Sequence, residues 1–481
     1  MSDPCLRLLP PVGALLEDPR IATLAAGRRR AWLTRLVQRA VAAQRTELER
    51  RGGDGGDGGD AGDGAAARVA LHEAVVARVL AERDRLLRPA LRRVINGTGV
   101  VVHTNLGRAP YPPEAVARVV EAARSPCDLE YRLDSGARGH RGRGVEEKAA
   151  LLTGAEDALV VNNNAAALWL AVRATARGGR VLLSRGEIVA IGGSFRIDEI
   201  LRETGCELVE VGATNRTVAG DYAAALTPGA VVLKVHRSNF AQSGFVGEVG
   251  LAELAALCRE RGHVLVYDAG SGALFPPAAL GLPDEPTLAD DLAAGPDLVT
   301  CSGDKLLGGG QAGLVLGRAE LVESLRRHPL RRALRVDKLT LAALDAVLTL
   351  YLEADDLPRV PVLEMLALDV ATLEARGREL LAALSPAAPA GWRGEVVAGE
   401  SSVGGGSFSE AVVPTRLLRW RGPKGELERC HAALRRQEPA VVTRIGQEGL
   451  AVDLRTVAPE ELPEVATALR LCWRGGGEDA A

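Results

Sequence analysis

Between about residues 95 and 350, short apolar runs alternate with helix-like stretches, and this alternation constrains the fold more than any other feature. The runs are Ala158–Val161, Val181–Ser184, Glu207–Val211, Ala230–Val235, Val264–Tyr267 and Leu298–Cys301. Helical patterns such as 165–177 and 250–261 lie between them. Near-continuous apolar strands separated by helices predict a mainly parallel sheet covered by those helices, an α/β architecture. Ligands in such sheets sit at the carboxyl ends of the strands. Residues with chemical potential are therefore sought just after the runs.

The chain has 481 residues and is 47% hydrophobic, enough for two or three domains. Residues 1–93 read as helical and arginine-rich. A helix over 19–50 can align Leu24, Trp32, Leu33, Leu36 and Val37, and one over 65–93 can align Leu71, Val75, Val79 and Leu86. Arginines such as Arg35, Arg39, Arg45, Arg78, Arg85 and Arg88 crowd the other faces. Such a module serves either as a packing or dimerisation pair or as a binder of a phosphate backbone. The Gly/Asp tract 52–64 cannot form a core and reads as a flexible acidic linker. After 350 come a helical stretch (362–384), a Pro/Ala/Gly break (386–394), two runs (440–445 and 450–454) resembling a hairpin, and a closing helix (459–473). The expected domains are 1–93, a large α/β domain over 94–350, and a small α+β domain over 351–481.

The formal net charge of −3 excludes a globally basic nucleic-acid binder, so any RNA contact must be a local patch. The seven cysteines form no C-x-x-C pair, and no H-E-x-x-H or clustered His/Cys set suggests a metal. No run reaches the roughly 18 apolar residues of a membrane span, and the N-terminal residues do not read as a secretory signal. A cytoplasmic protein is expected.

Lys305 lies in Ser302-Gly303-Asp304-Lys305-Leu306-Leu307-Gly308-Gly309-Gly310-Gln311-Ala312-Gly313, just after the run ending at Cys301. An amine framed by small residues suits a Schiff base with a carbonyl cofactor. Asp268 ends the run Val264–Tyr267, where a buried carboxylate needs a cationic partner such as a protonated pyridine nitrogen. Otherwise it is a strand-end helix cap. Asn162, Asn163 and Asn164 follow Leu159–Val161 and open a helix, a place suited to phosphate. A plain N-cap accounts for one asparagine, not three. Ser302 is placed to add a hydroxyl contact. His236 follows Val231–Val235 and either touches the cofactor ring or substrate or is merely packed. Arginines recur at Arg108, at Arg138, Arg141 and Arg143, and at Arg331, Arg332 and Arg335, and guanidinium forks favour oxyanions.

Several stretches, in order, resemble the bacterial selenocysteine synthases, the L-seryl-tRNA(Sec) selenium transferases. They are Arg93–Arg108, Leu152–Ala167, Lys234–Phe245, Tyr267–Leu274, Ser302–Gly313 and His328–Leu344. The resemblance implies a fold-type I pyridoxal-phosphate enzyme. Lys305 would carry the Schiff base to pyridoxal 5'-phosphate, Asp268 would pair with the ring nitrogen, and Arg108, Arg141, Arg332 and Arg335 would hold the selenium donor's oxyanion and the substrate. It implies conversion of L-seryl-tRNA(Sec) to L-selenocysteinyl-tRNA(Sec) with selenophosphate, through loss of water and selenium addition to a dehydroalanyl group. The basic module at 1–93 would bind the tRNA, and the protein would be a homo-oligomer, a decamer built as a ring of dimers. One departure is Gly144, where the family commonly has a histidine; His140 is the nearby candidate to replace it. Two other readings stay open: a related pyridoxal-phosphate lyase acting on a small free amino acid or amino sugar, and a non-catalytic RNA-binding scaffold.

Overall fold

A computed structural model describes residues 4–24, 30–53, 64–191, 195–237, 240, 242–283, 285–354 and 356–474. The chain divides into two compact units, Met1–Arg92 and Arg93–Ala481. The first is helical, with helices Val12–Glu17, Pro19–Ala22, Arg30–Gly53 and Gly64–Leu87. Its core joins Leu15, Ile21, Leu33, Leu36, Val37, Val75, Val76 and Val79, so the two long helices bury the faces their spacing predicts. Leu86 is exposed, beyond the last buried position of its helix. The helix expected over 19–50 is not continuous. Asp18 caps a short turn by accepting from the Arg20 amide at 2.9 Å, and Pro19 takes the first helical position. The Arg20 hydrogen bonds hold the Asp18 carboxyl well below the usual carboxylate range. Residues 54–63 of the Gly/Asp tract lie outside the described residues.

The second unit contains β1 (Val94–Gly97), β2 (Val100–Val102), β3 (Asp157–Val161), β4 (Arg180–Ser184), β5 (Ala190–Ile191), β6 (Phe195–Arg196), β7 (Glu207–Val211), β8 (Val231–Val235), β9 (Val264–Gly270), β10 (Leu298–Ser302), β11 (Gly313–Gly317), β12 (Arg393–Gly404), β13 (Ser407–Arg421), β14 (Ala440–Gly446) and β15 (Gly449–Asp453). One sheet has seven strands in the order β3-β11-β10-β9-β8-β4-β7. β10, β9, β8, β4 and β7 are mutually parallel, while β11 runs antiparallel to both β10 and β3. The six expected strands are therefore all present, and β11 is an addition hidden in the glycine-rich segment. Gly313 belongs there because a Cβ would lie 2.1 Å from the Asn163 carbonyl oxygen.

The second sheet runs β1-β14-β15-β13-β12-β2. Two strands at the start of the expected large domain join the C-terminal sheet: β1 pairs with β14 from Val94↔Ala440 to Gly97↔Thr443, and β2 pairs with β12. Ile95 is buried with Leu418, Val441 and Leu450, so the apolar core of the C-terminal sheet claims this segment. The 440–454 hairpin is present, whereas the helix expected over 362–384 breaks where Asp369 caps a new helix through the Thr372 amide.

Asp453, fully buried, ties these strands together. It accepts from Ser401 Oγ at 2.9 Å, Thr415 Oγ1 at 2.8 Å and Arg444 Nη2 at 2.8 Å. Arg444 in turn donates to the Thr98 carbonyl in the β1–β2 turn. Replacing Asp453 by Ala leaves two buried hydroxyls and the Arg455 backbone N–H without this acceptor and takes the carboxylate from Arg444, and we expect a loss of about 3–5 kcal/mol. A lowered chemical-denaturation midpoint of the second unit measures it.

Candidate active site

The parallel strands β8, β9 and β10 point the same way, so their carboxyl ends share one edge of the sheet. Lys305 follows β10 and Asp268 lies near the end of β9, and both are buried. Thr300 on β10 is the register partner of Asp268 and donates to its Oδ1 at 3.2 Å. Beyond that pair the register shifts, a bulge that turns the chain at the site. Asn164 Nδ2 and the Gly270 amide also donate to Oδ1, at 2.8 and 3.2 Å.

Burial raises the Asp268 pKa, and the Asn164 bond and the nearby Lys305 charge only partly oppose it. Burial lowers the Lys305 pKa, the Arg108 charge adds to the effect, and the Asp268 charge opposes it. Each shift is the reverse of what mutual ion pairing would produce. Desolvation therefore dominates, and the amine is biased towards its neutral, nucleophilic form.

The three asparagines divide the work. Asn163 Oδ1 accepts from the Ala166 amide at 2.9 Å and is the N-cap of helix Asn164–Thr175. The Asn164 side chain braces Asp268 through Nδ2. The Asn162 backbone N–H donates to the Leu334 carbonyl at 3.1 Å, joining the 331–335 segment to this turn. Ser302 is buried at the end of β10, and Gly272 is required beside it, since a Cβ there would lie 2.5 Å from the Ser302 carbonyl oxygen. The His236 amide donates to the Asp268 carbonyl at 2.9 Å, and its Nε2 lies 3.1 Å from Glu285 Oε2. Burial works to lower the imidazole pKa, but Glu285, with Asp291 and Asp268, outweighs it and raises the value.

These residues fit pyridoxal phosphate. All three hydrogen bonds accepted by Asp268 fall on Oδ1, leaving Oδ2 for a cationic ring nitrogen. The amide oxygens of Asn162 and Asn164 and Nε2 of His236 are buried without a hydrogen bond, the His236–Glu285 contact being a close charge pair of poor hydrogen-bond alignment. The positive end of helix Asn164–Thr175 opens at the same edge, suited to a phosphate.

The arginines separate into two groups. Arg108 adopts a left-handed backbone (φ 65°), rare for a residue with a side chain, and its guanidinium grips both oxygens of Asp304 at 2.8 and 2.9 Å. It therefore stands beside Lys305. Arg141 and Arg335 meet on Glu130, at 3.2 and 3.5 Å from Oε1. Arg332 does not join them in this chain and is exposed. Its neighbour Arg331 is the one turned inward, with a side chain 13% exposed and 4.0 Å from Glu146. The 3-10 turn Pro329–Arg332 decides which of the two adjacent arginines is buried. Sequence reasoning missed Thr300, Asp304, Glu130 and Glu285, because each acts through a partner far away in the chain.

A groove of about 1190 Å³ does not include Lys305; it is lined by the 125–145 segment, including Tyr131, Arg138 and Arg143. The lysine is instead buried in the fold, with Cys301 packed in the core behind it.

A profile described as L-seryl-tRNA selenium transferase matches residues 94–458. The chain belongs to that family. It is 43% identical over 464 residues to the L-seryl-tRNA(Sec) selenium transferase of Geobacter sulfurreducens, covering 96% of this chain and 98% of the relative. It is 41% identical over 486 residues to the enzyme of the same name from Rhizobium meliloti, covering all of both chains. Among solved structures, D-glucosaminate-6-phosphate ammonia-lyase aligns with a TM-score of 0.57 at 22% identity, over 82% of this chain and 99% of that one, which shows a shared fold.

In this selenium transferase family member, Gly144 lies in the first turn of helix Arg143–Thr153, where a Cβ would meet only Asp345 Oδ1, at 3.8 Å. His140 is bound to the buried Glu146, with Nε2 2.7 Å from Oε2. Among the described residues no group of His, Cys, Asp and Glu is arranged to hold a metal, and no helix is long and apolar enough to cross a membrane.

The raised Asp268 pKa has a consequence for stability. The ligand-free fold holds that proton more tightly than the unfolded chain, so this residue penalises folding increasingly as pH climbs above about 3.9. Asp268→Asn should raise the ligand-free Tm at neutral pH, with the gain shrinking towards about pH 4. The same variant should bind pyridoxal phosphate more weakly. Thermal scans across pH, with and without the cofactor, measure both effects.

Proposed function

We propose that this chain converts L-seryl-tRNA(Sec) to L-selenocysteinyl-tRNA(Sec), with pyridoxal 5'-phosphate as cofactor and selenophosphate as selenium donor. The observation that carries the reading is Lys305, buried at the end of β10 beside the strand bearing Asp268, in a member of this transferase family. When bound, pyridoxal phosphate supplies a sink for the negative charge that develops at the seryl α-carbon. Lys305 would hold it through Nζ, Asp268 would pair with the ring nitrogen, and the Asn162–Asn164 turn with Ser302 would take the phosphate. His236 would contact the ring or the substrate.

Lys305 Nζ then has a second task. Burial lowers its pKa and so favours the neutral amine, the form that would accept the α-proton and later return one. The three donors on Oδ1 favour the charged form of Asp268 against its burial, and a cationic ring nitrogen at Oδ2 would be the partner that completes the balance. Arg108, Arg141, Arg332 and Arg335 hold the oxyanion of selenophosphate and the acidic parts of the substrate, with Arg108 fixed next to the lysine by Asp304. The helical unit 1–92 supplies the exposed arginines for the tRNA backbone. The remaining domains are read as 94–350 for the cofactor and 351–481 as a smaller α+β domain, with β1 and β2 lent to the latter. The protein works in the cytoplasm as a homo-oligomer, a decamer built as a ring of dimers.

Purified protein with pyridoxal phosphate, selenophosphate and seryl-tRNA(Sec) should form selenocysteinyl-tRNA. Lys305→Ala should lose both this conversion and the near-visible absorbance of the bound cofactor; a variant retaining both overturns the assignment. A fragment of residues 93–481 should keep the absorbance and lose the preference for tRNA(Sec) over other serylated tRNA in a gel-shift titration.

A further inference from the structure

Glu130 is not among the residues that carry the reaction, yet three guanidinium groups converge on it. Arg141 Nε and Nη2 lie 3.2 Å from Oε1, Arg335 Nη1 lies 3.5 Å from the same oxygen, and Arg138 Nη2 lies 3.2 Å from Oε2. Arg141 and Arg335 come from segments remote in sequence, and both are mostly buried, at 23% and 28% exposure. Two guanidinium groups sharing one oxygen must lie within a few ångströms of each other, where they repel strongly without a carboxylate between them.

The backbone under Glu130 is built to hold it still. Its carbonyl accepts from the Gly139 amide at 2.9 Å, Tyr131 bridges Arg138, and the Arg132 amide donates to Ala137 at 2.8 Å, closing a small hairpin at Gly136 (φ 66°). Arg141 is further fixed by donating Nη1 to the Val336 carbonyl at 2.8 Å, next to Arg335 itself. The Arg335 segment reaches the site, since the Asn162 backbone N–H donates to the Leu334 carbonyl and Asn164 donates to Asp268, and Arg141 joins that segment through Val336.

One carboxylate does not satisfy this cluster. Arg335 Nε is buried without a hydrogen bond. Arg331, 13% exposed, has among the described residues the 4.0 Å contact with Glu146 as its one ion pair, and burial together with the charges of Arg326, Arg335 and Arg141 lowers its pKa despite Glu146. Guanidinium donors left over in a partly dry place are a site for a second anion with several oxygens. Because one carboxylate faces three arginines, Glu130 organises the cluster without filling it.

We propose that Glu130 is a positioning residue for the anionic donor: it holds Arg141 and Arg335 at the separation that a tetrahedral phosphate-class oxyanion requires. The proposal rests on the reading that these arginines bind selenophosphate.

The test uses full-length holoenzyme, so that the cofactor phosphate site is filled, and inorganic phosphate as the probe. Calorimetry on Glu130→Gln should show phosphate binding weakened about tenfold, with the KM for selenophosphate rising in step and kcat within about twofold of wild type. The KM for seryl-tRNA(Sec) should not move. Glu130→Asp, which keeps the charge but withdraws it by one methylene, should weaken binding by about threefold, and it decides the matter alone if the glutamine variant fails to fold. Unchanged phosphate affinity, tighter binding in Glu130→Gln, or a loss confined to kcat overturns the proposal; tighter binding would make the carboxylate a competitor of the anion. Phosphate binding is read without turnover. A wild type that binds phosphate in this graded way but makes no selenocysteinyl product overturns the assigned reaction and leaves the positioning role standing.

Discussion

The site depends on burying a carboxylate and an amine side by side without letting them satisfy each other. Asp268 and Lys305 are each about 6% exposed, and the burial cost exceeds their mutual attraction, raising one pKa and lowering the other. Two residues that simply formed a salt bridge would shift in the opposite directions. The fold thus keeps an acid that favours a cationic partner and an amine that is ready to react. A cofactor with a basic ring nitrogen and a carbonyl answers both needs at once, which is why a costly pair is tolerated at the edge of an otherwise apolar sheet.

Close backbone approach is what allows that burial. Gly313 on β11 lets the strand touch the Asn163 carbonyl, and Gly272 lets the turn after β9 touch the Ser302 carbonyl. The asparagine turn, the Asp268 strand and the lysine loop are therefore pressed together through main chain. Their side chains are left to cap a helix, brace a carboxylate or face a ligand. The glycine-rich frame of Lys305 serves proximity rather than mobility: Gly303 donates to Ala312 and Gly309 donates to Gly303, both at 2.8 Å.

Local pattern made the parallel strands, the lysine and the aspartate legible, because a fully buried strand must be apolar throughout and a charged residue at its end stands out. It failed where the decisive partner is distant. β1 pairs with residues from 440 onward, and nothing in its own four residues announces this. β12 mixes polar and small residues over a half-exposed face and gives no clear strand signal beyond the break read at 386–394, although it forms a long hairpin with β13. The three asparagines stand out as a group, but only coordinates show that the Asn163 side chain caps a helix, that of Asn164 braces Asp268 and the Asn162 backbone N–H ties in Leu334. Arg331 and Arg332 are adjacent and chemically identical in sequence, and a single tight turn sends one inward and leaves the other outside. Composition alone made every arginine a weak signal.

Burial restores that signal. Arg39 and Arg85 in the helical unit are 69% and 63% exposed, where their attraction for a polyanion is long-range and screened by salt. Arg141, Arg326, Arg331 and Arg335 in the second unit are 13–28% exposed and work at contact distance, matched against Glu130, Glu146 and Asp157. Lysine would serve the first purpose as well, but not the second, because a point charge cannot share one carboxylate with a neighbour and still present a fork to a ligand. On the proposed reaction the enzyme must handle two anions of different size, a tRNA backbone and a small oxyanion. The same residue type handles both because depth in the fold, rather than side-chain identity, sets the range over which each charge acts.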